Sequence, residues 1–287
     1  MNFAWGLAKL KNLYYDAVIV IIIVDIGKDQ NAAVEHITSR KNPLILRLRA
    51  LSTDGAFRRA EGEYLCDGYK LLAEALDKGA ELRTVLWREK AGETLLPDSV
   101  RQVTVPEDLF DYVSPMKNSP GPLFTLAIPR EPEPVFSQAI LLENVQDPGN
   151  VGTVIRTAAA MGVDTVLLCG ACADVYSPRT ARATMGAVFR EKIIRCTVAE
   201  ARAFADRNGL KLYGAALSDR AADIRDLPLK NAVVAIGSEG NGLSGELLHS
   251  CNGELIIPMS PGSESLNAAV AAAIVLWEMQ NAAAGGR

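Results

Sequence analysis

Histidine and paired cysteine are scarce in this chain, which has two histidines, His36 and His249, and five scattered cysteines, Cys66, Cys169, Cys172, Cys196 and Cys251. Such a set implies no disulfide framework and suits reduced thiols in a cytosol. Cys169-Gly-Ala-Cys172 has the spacing of a metal or redox pair, but no second pair completes it, so it reads as the end of a buried strand. A membrane-crossing run is lacking at the start: Ala17–Val24 is eight apolar residues bounded by Asp16 and Asp25, against the roughly 20 a bilayer requires. A secretory signal also fits poorly, because Tyr14, Tyr15 and Asp16 separate Lys9 and Lys11 from that run and an acid follows it. The segment reads as an extra strand or an extension over residues 1–35. Excess positive charge is missing too. Lys plus Arg number 30 against 34 Asp plus Glu, a net −4, so there is no global pull toward nucleic acid and any such site must be a local patch. Neither a P-loop nor the dinucleotide-binding glycine spacing occurs.

What is present is an ordinary folding composition. At 287 residues, 49% hydrophobic and 22% charged, the chain can bury a large core, or two. After Pro43, apolar residues fall at helical spacing with arginines between them. Six bases (Arg40, Lys41, Arg47, Arg49, Arg58 and Arg59) and one acid, Asp54, lie between Arg40 and Arg59. This patch is either a solvated helix face or an RNA contact. A helix over Gly68–Leu76 and strands over Leu82–Trp87 and Leu123–Ile128 predict a small α/β domain over 36–128. Residues 129–137, PREPEPVFS, read as a linker.

From 138 to 287 the pattern alternates. Strands are expected at Ile140–Val145, Thr165–Cys169, Lys192–Cys196, Lys211–Ala216, Ala232–Ile236 and Glu254–Ile257. Helices are expected at Val151–Met161, Arg179–Val188, Ala199–Asn208 and Leu266–Met279. Such alternation predicts a mostly parallel sheet with helices on both faces and ligands at the carboxyl ends of the strands.

Three segments put glycine and polar residues at those ends. In Glu143-Asn-Val-Gln-Asp-Pro-Gly-Asn-Val-Gly-Thr-Val-Ile-Arg156, Asp147-Pro-Gly turns the chain and Asn150 can cap the next helix. Arg156 follows six residues later, a spacing that need not share a helical face. In Ile236-Gly-Ser-Glu-Gly-Asn-Gly-Leu-Ser244, three glycines let backbone amides approach a ligand, or simply make a tight turn. In the third, running from Ile256 to the last helix, Ser263 or Ser265 is the expected cap. That helix is apolar almost all round and is expected to be buried on every side.

In this order the three segments closely resemble the signature motifs of the SpoU (TrmH-type) RNA 2′-O-methyltransferases of the SPOUT class, over nearly all of residues 138–281. Upstream, Ile37-Thr-Ser-Arg-Lys-Asn-Pro and the stretch from Arg59 to Gly68 resemble the family's ribosomal-protein-like, RNA substrate-binding domain. The resemblance implies S-adenosylmethionine as cofactor and a trefoil-knotted, homodimeric C-terminal domain. It implies a catalytic neighbourhood of Asn150, Arg156, Glu239, Ser265 and Asn267, and a cofactor bordered by Gly237, Ile257 and Leu266 with Met259 close by. The implied substrate is mostly ribosomal RNA, in some relatives transfer RNA. No metal is called for, because the sulfonium donor is already activated. An RNA-binding module that has lost methylation is the rival, opposed by the presence of all five motif side chains. A nucleotide-dependent oxidoreductase would carry its glycines after the first strand of the sheet, not after Ile236.

Overall fold

The computed structural model describes residues 34–260 and 265–283. The expectations for Ala17–Val24 and for Ser263 therefore lie outside the described residues.

The first unit is a five-stranded mixed sheet in the order β1-β4-β3-β5-β2. Its strands are β1 (Glu35–His36), β2 (Glu63–Asp67), β3 (Leu82–Arg88), β4 (Arg101–Val105) and β5 (Leu123–Ala127). Strand β3 runs parallel to β4, and β5 runs antiparallel to both β2 and β3. Helix α1 (Pro43–Thr53) starts where the sequence says it should: Pro43 supplies a preset first turn and the Asn42 side chain accepts from Leu44 N at 2.9 Å. Its Leu44, Ile45, Leu48 and Leu51 form one buried stripe against Leu65, Leu86 and Phe110. Alternate β2 residues point the other way, so Tyr64 and Cys66 join Leu71, Leu72 and Ala75 of α3 (Tyr69–Asp77) on the opposite face. Between these helices lies the short α2 (Gly55–Glu61), and α4 (Glu107–Val113) packs beside α1.

Residues 128–138 carry no helix or strand, yet the stretch is tied down. Asn208 donates to Pro134 O at 2.9 Å and accepts from Phe136 N, while Lys192 reaches Val135 O.

The second unit is a seven-stranded, wholly parallel sheet, β10-β12-β9-β11-β6-β7-β8. It comprises β6 (Ala139–Glu143), β7 (Thr165–Cys169), β8 (Lys192–Cys196), β9 (Lys211–Ala215), β10 (Ala222–Asp223), β11 (Ala232–Ile236) and β12 (Gly253–Ile256). Its helices are α5 (Pro148–Met161), α6 (Pro178–Ala183), α7 (Val198–Arg207), α8 (Gly245–Ser250) and α9 (Ala268–Ala283). Burial on both faces explains the near-continuous apolar strands: Ile140 and Leu142 enter one core, Ala139 and Leu141 the other. The chain grows from β6 outward to β8, then crosses to the other side of β6. The winding direction thus reverses at the β6–β11 pair, and a crevice opens beyond the carboxyl ends of those strands.

Several expectations are corrected. The expected helix over Arg179–Val188 is α6 followed by a separate 3₁₀ turn at Ala187–Phe189, because Met185 and Gly186 adopt positive φ and break it. The last helix is not buried on every side: Ala272, Val275, Leu276 and Met279 are, whereas Val270 and Trp277 are 49% and 53% exposed. Arg58 is no free surface cation. It is buried, donates to Leu51 O at 2.7 Å, and joins the two units through an ion pair of 2.6 Å to Asp174, the segment leading into α6. The Tyr64 and Tyr176 rings, 4.9 Å apart, and Ala181 packed into the α3-side core complete this junction. Cys172 Sγ lies 3.2 Å from Leu142 O, and burial pushes the Cys169 thiol up to about 11. Among the described residues no cluster suits a metal ion, and no helix is long and apolar enough to cross a membrane.

Candidate active site

The crevice is built from three turns. At the end of β6, Asn144 takes φ 56° and its Oδ1 accepts from Ala171 N at 2.8 Å, locking the neighbouring strand end. Asp147, not Asn150, caps α5: its carboxylate accepts from Asn150 N at 2.8 Å, with Pro148 in the first turn. This shift of the cap by three residues has a chemical result. The Asn150 side chain is released from capping and turns outward, where Nδ2 donates to the Glu239 carboxylate and Oδ1 accepts from Asn267 Nδ2 at 3.1 Å. Asn267 in turn caps α9, accepting from Ala269 N at 2.9 Å, so the role expected of Ser263 or Ser265 falls to it. A single polar bridge thereby joins all three turns.

The second turn, after β11, doubles back tightly. Ser238 and Gly242 pair across it, with Gly242 N donating to Ser238 O at 2.9 Å. At Gly237 a Cβ would lie 2.1 Å from the Gly242 carbonyl carbon, so only glycine fits there. The base of the turn is held by a residue that the sequence reading does not anticipate. Buried Glu143 accepts from Ser244 N and Ser244 Oγ, each at 2.7 Å, while Ser244 caps α8. The available signal was a carboxylate closing the otherwise apolar strand AILLE.

A pocket of about 540 Å³ opens where β9, β11 and β12 end. Gly237, Ile257, Met259 and Leu266, the four expected cofactor neighbours, all line it, together with Glu239 and Ser265. Ala215, Leu217, Leu255 and Ala268 supply an apolar wall opposite the glycine turn, whose backbone forms the other side. The combination suits a planar heterocycle with a polar, hydrogen-bonding tail.

Arg156 stands outside this constellation. It is exposed on α5, about 9 Å along the axis and about 120° round it from Asn150 at six-residue helical spacing, and it takes no part in the Asn150–Glu239–Asn267 bridge. The expected basic patch is likewise thinned. Arg47 pairs with Glu61 at 2.6 Å and with Glu63, Arg40 pairs with Asp108 at 3.2 Å, and Arg49 donates to Tyr112 O at 2.9 Å. Of the six, Lys41 and Arg59 remain exposed without an ion pair among the described residues.

Comparison with known proteins agrees with this architecture. Residues 137–277 match the SpoU rRNA methylase family, and residues 42–123 match the MRM3-like substrate binding domain. An uncharacterised tRNA/rRNA methyltransferase of Synechocystis sp. is 32% identical, over 85% of this chain and 93% of that protein. The 23S rRNA (guanosine(2553)-2′-O)-methyltransferase RlmP of Bacillus subtilis is 29% identical, over 86% of this chain and all of that one. Among solved structures, the AdoMet-bound rRNA methyltransferase from Sinorhizobium meliloti superposes with a TM-score of 0.77 at 28% identity, covering 86% of this chain and 98% of that one. The chain belongs to the SpoU rRNA methylase family.

Proposed function

We propose that this protein transfers a methyl group from S-adenosylmethionine to a ribose 2′-hydroxyl of ribosomal RNA. The observation that carries the reading is the pocket at the carboxyl ends of β9, β11 and β12, beside the sheet's switch point, with Gly237, Ile257, Met259 and Leu266 on its walls and the Asn150–Glu239–Asn267 bridge at its rim. In this reading residues 36–128 bind the RNA substrate, 129–137 are the linker, and 138–287 form the methyltransferase domain, knotted as in the family.

When bound, S-adenosylmethionine supplies a methyl group already activated by its sulfonium. The chain's own task is to hold the sugar and lower the cost of its leaving proton. A ribose hydroxyl is a poor nucleophile until that proton departs, and the three turns contain no histidine to take it. An arginine guanidinium stays protonated at any physiological pH, so Arg156 serves as a clamp on a neighbouring phosphate and as a counter-charge to the developing alkoxide, while the hydroxyl proton leaves to solvent water. Asn150, Glu239, Ser265 and Asn267 orient the sugar. Glu143 acts through the glycine turn: Glu143→Ala strips two half-buried donors, Ser244 N and Oγ, of their buried acceptor. The expected result is a stability loss of about 2 kcal/mol and weaker S-adenosylmethionine binding at unchanged RNA affinity, read by thermal unfolding and titration calorimetry.

The exposed strip of α9 supports a homodimer. Val270, Ala273, Ile274 and Trp277 adjoin Asn150, Thr153 and Asn267, so a second copy laid on that strip closes over the polar bridge. The expected solution mass is twice that of one chain. Five unpaired thiols and a ribosomal substrate suit the cytoplasm. The deciding experiment is methyl transfer to purified ribosomal and transfer RNA, with mapping of the ribose that resists alkaline cleavage. Label in transfer RNA alone would displace the ribosomal reading, and label in neither would remove the enzyme.

A further inference from the structure

The seam between the two units carries a second surface with its own chemistry. Helix α6 and the turn after it lie between the catalytic helix α5 and the substrate unit. On one side, the Cβ position of Gly152, between Asn150 and Arg156, meets Ala183 Cβ at 2.5 Å and Thr180 O at 2.7 Å, so α6 presses on the first turns of α5. On the other side, the Cβ position of Gly186 is 3.0 Å from the Glu74 side chain on α3. Arg179 and Arg182 project from α6 into solvent here. Arg59 joins them from α2, its Nη1 3.4 Å from the Cβ position of Gly55, which itself lies 3.1 Å from Asp174.

Of the acids at this seam, Asp174 is held by buried Arg58 and Glu74 lies 3.9 Å from Arg190, while Asp67 accepts from Ser119 Oγ at 2.5 Å through Oδ1, leaves its buried Oδ2 without a hydrogen-bond partner and has Arg182 as a nearby counter-charge. Arg59, Arg179 and Arg182 form no ion pair among the described residues. Beside them stands Met185, held at φ 50° although it is not glycine, with its side chain 47% exposed. The left-handed turn at Met185 ends α6 and, in doing so, presents an apolar side chain to water on the arginine-bearing side of the seam. An exposed, flexible thioether on the turn that follows Arg179 and Arg182 matches one ligand chemistry, a nucleic-acid strand whose phosphates meet the arginines and whose base lies on the methionine.

We propose that Arg59, Arg179, Arg182 and Met185 form an RNA track that carries the substrate strand from the N-terminal unit to the methyl-transfer site; it rests on the methyltransferase reading above. Arg179→Ala/Arg182→Ala is expected to weaken binding of the cognate ribosomal RNA fragment about tenfold. The slope of log affinity against log salt should fall by about 1.4 to 1.8, two phosphate contacts' worth. S-adenosylmethionine affinity and Tm should hold. Met185→Gly removes the side chain and relieves the left-handed strain, so Tm should not fall, while kcat/KM for RNA drops several-fold. Lys211→Ala, at the amino end of the sheet, is the charge control. Wild-type salt slope and turnover in the double variant overturn the track, as does an equal loss in Lys211→Ala. A wild-type enzyme that labels no RNA refutes instead the reading on which the track rests.

Discussion

Replacing Arg156 by alanine is expected to lower kcat for ribosomal RNA by a hundredfold or more, with S-adenosylmethionine affinity unchanged. The magnitude is that of removing the one positive group which, in the proposed role, faces the negative charge developing on the attacking oxygen. The separation from the cofactor follows from position: Arg156 is on the exposed face of α5 and does not line the pocket of Gly237 and Ile257. Arg156→Lys distinguishes the two halves of the role. A lysine keeps the charge but loses the planar fork, so a bidentate phosphate clamp predicts a loss nearly as large as alanine's. Single-turnover methyl transfer at saturating RNA measures both. If Arg156→Lys retains near-normal turnover, both the clamp and any base role for this residue are wrong.

The architecture of the second unit was legible because strands buried on both faces announce themselves as short apolar runs between turn residues. Thr165–Cys169, Lys192–Cys196 and Ala232–Ile236 have the boundaries read from sequence. Strand β2 was not anticipated, since Glu63 and Asp67 at its ends disguise an alternation that becomes plain only when Leu65 and Tyr64 face different cores. The charge patch shows a second limit. Arg58 and Arg47 look like surface bases in one dimension, and only the approach of Asp174 from 116 residues away, and of Glu63 across α1, turns them into structural ion pairs. The cap sits three residues earlier than expected for a local reason. Asp147 and Asn150 are both good caps, and Pro148, which favours the first helical position, selects Asp147. The six-residue interval between Asn150 and Arg156 did carry its warning, and the described chain keeps those two side chains in separate settings.

Gly237→Ala is the most direct test of the pocket, and it is expected to abolish S-adenosylmethionine binding, with no heat in calorimetry at cofactor concentrations that saturate the wild type. The added methyl would lie 2.1 Å from Gly242 C, 2.2 Å from Gly242 O and 2.4 Å from Leu243 N. All three are backbone atoms, so no side chain can swing aside to admit it. The turn must open instead, which breaks the Gly242 N–Ser238 O bond and moves Glu239 away from Asn150. Both consequences fall on the cofactor wall and the polar bridge together. The sheet beneath has its own support, because Ala232–Ile236 pairs with β6 and β9 along its length. Thermal unfolding should therefore move by only about 1–3 kcal/mol, the usual cost of overpacking. Gly245→Ala is the matched control just beyond the same turn, since nothing lies within 4 Å of its Cβ position and it does not line the pocket, and it should bind the cofactor as the wild type does. Equal binding by both variants would mean that the doubled-back turn is not the wall against which the cofactor sits.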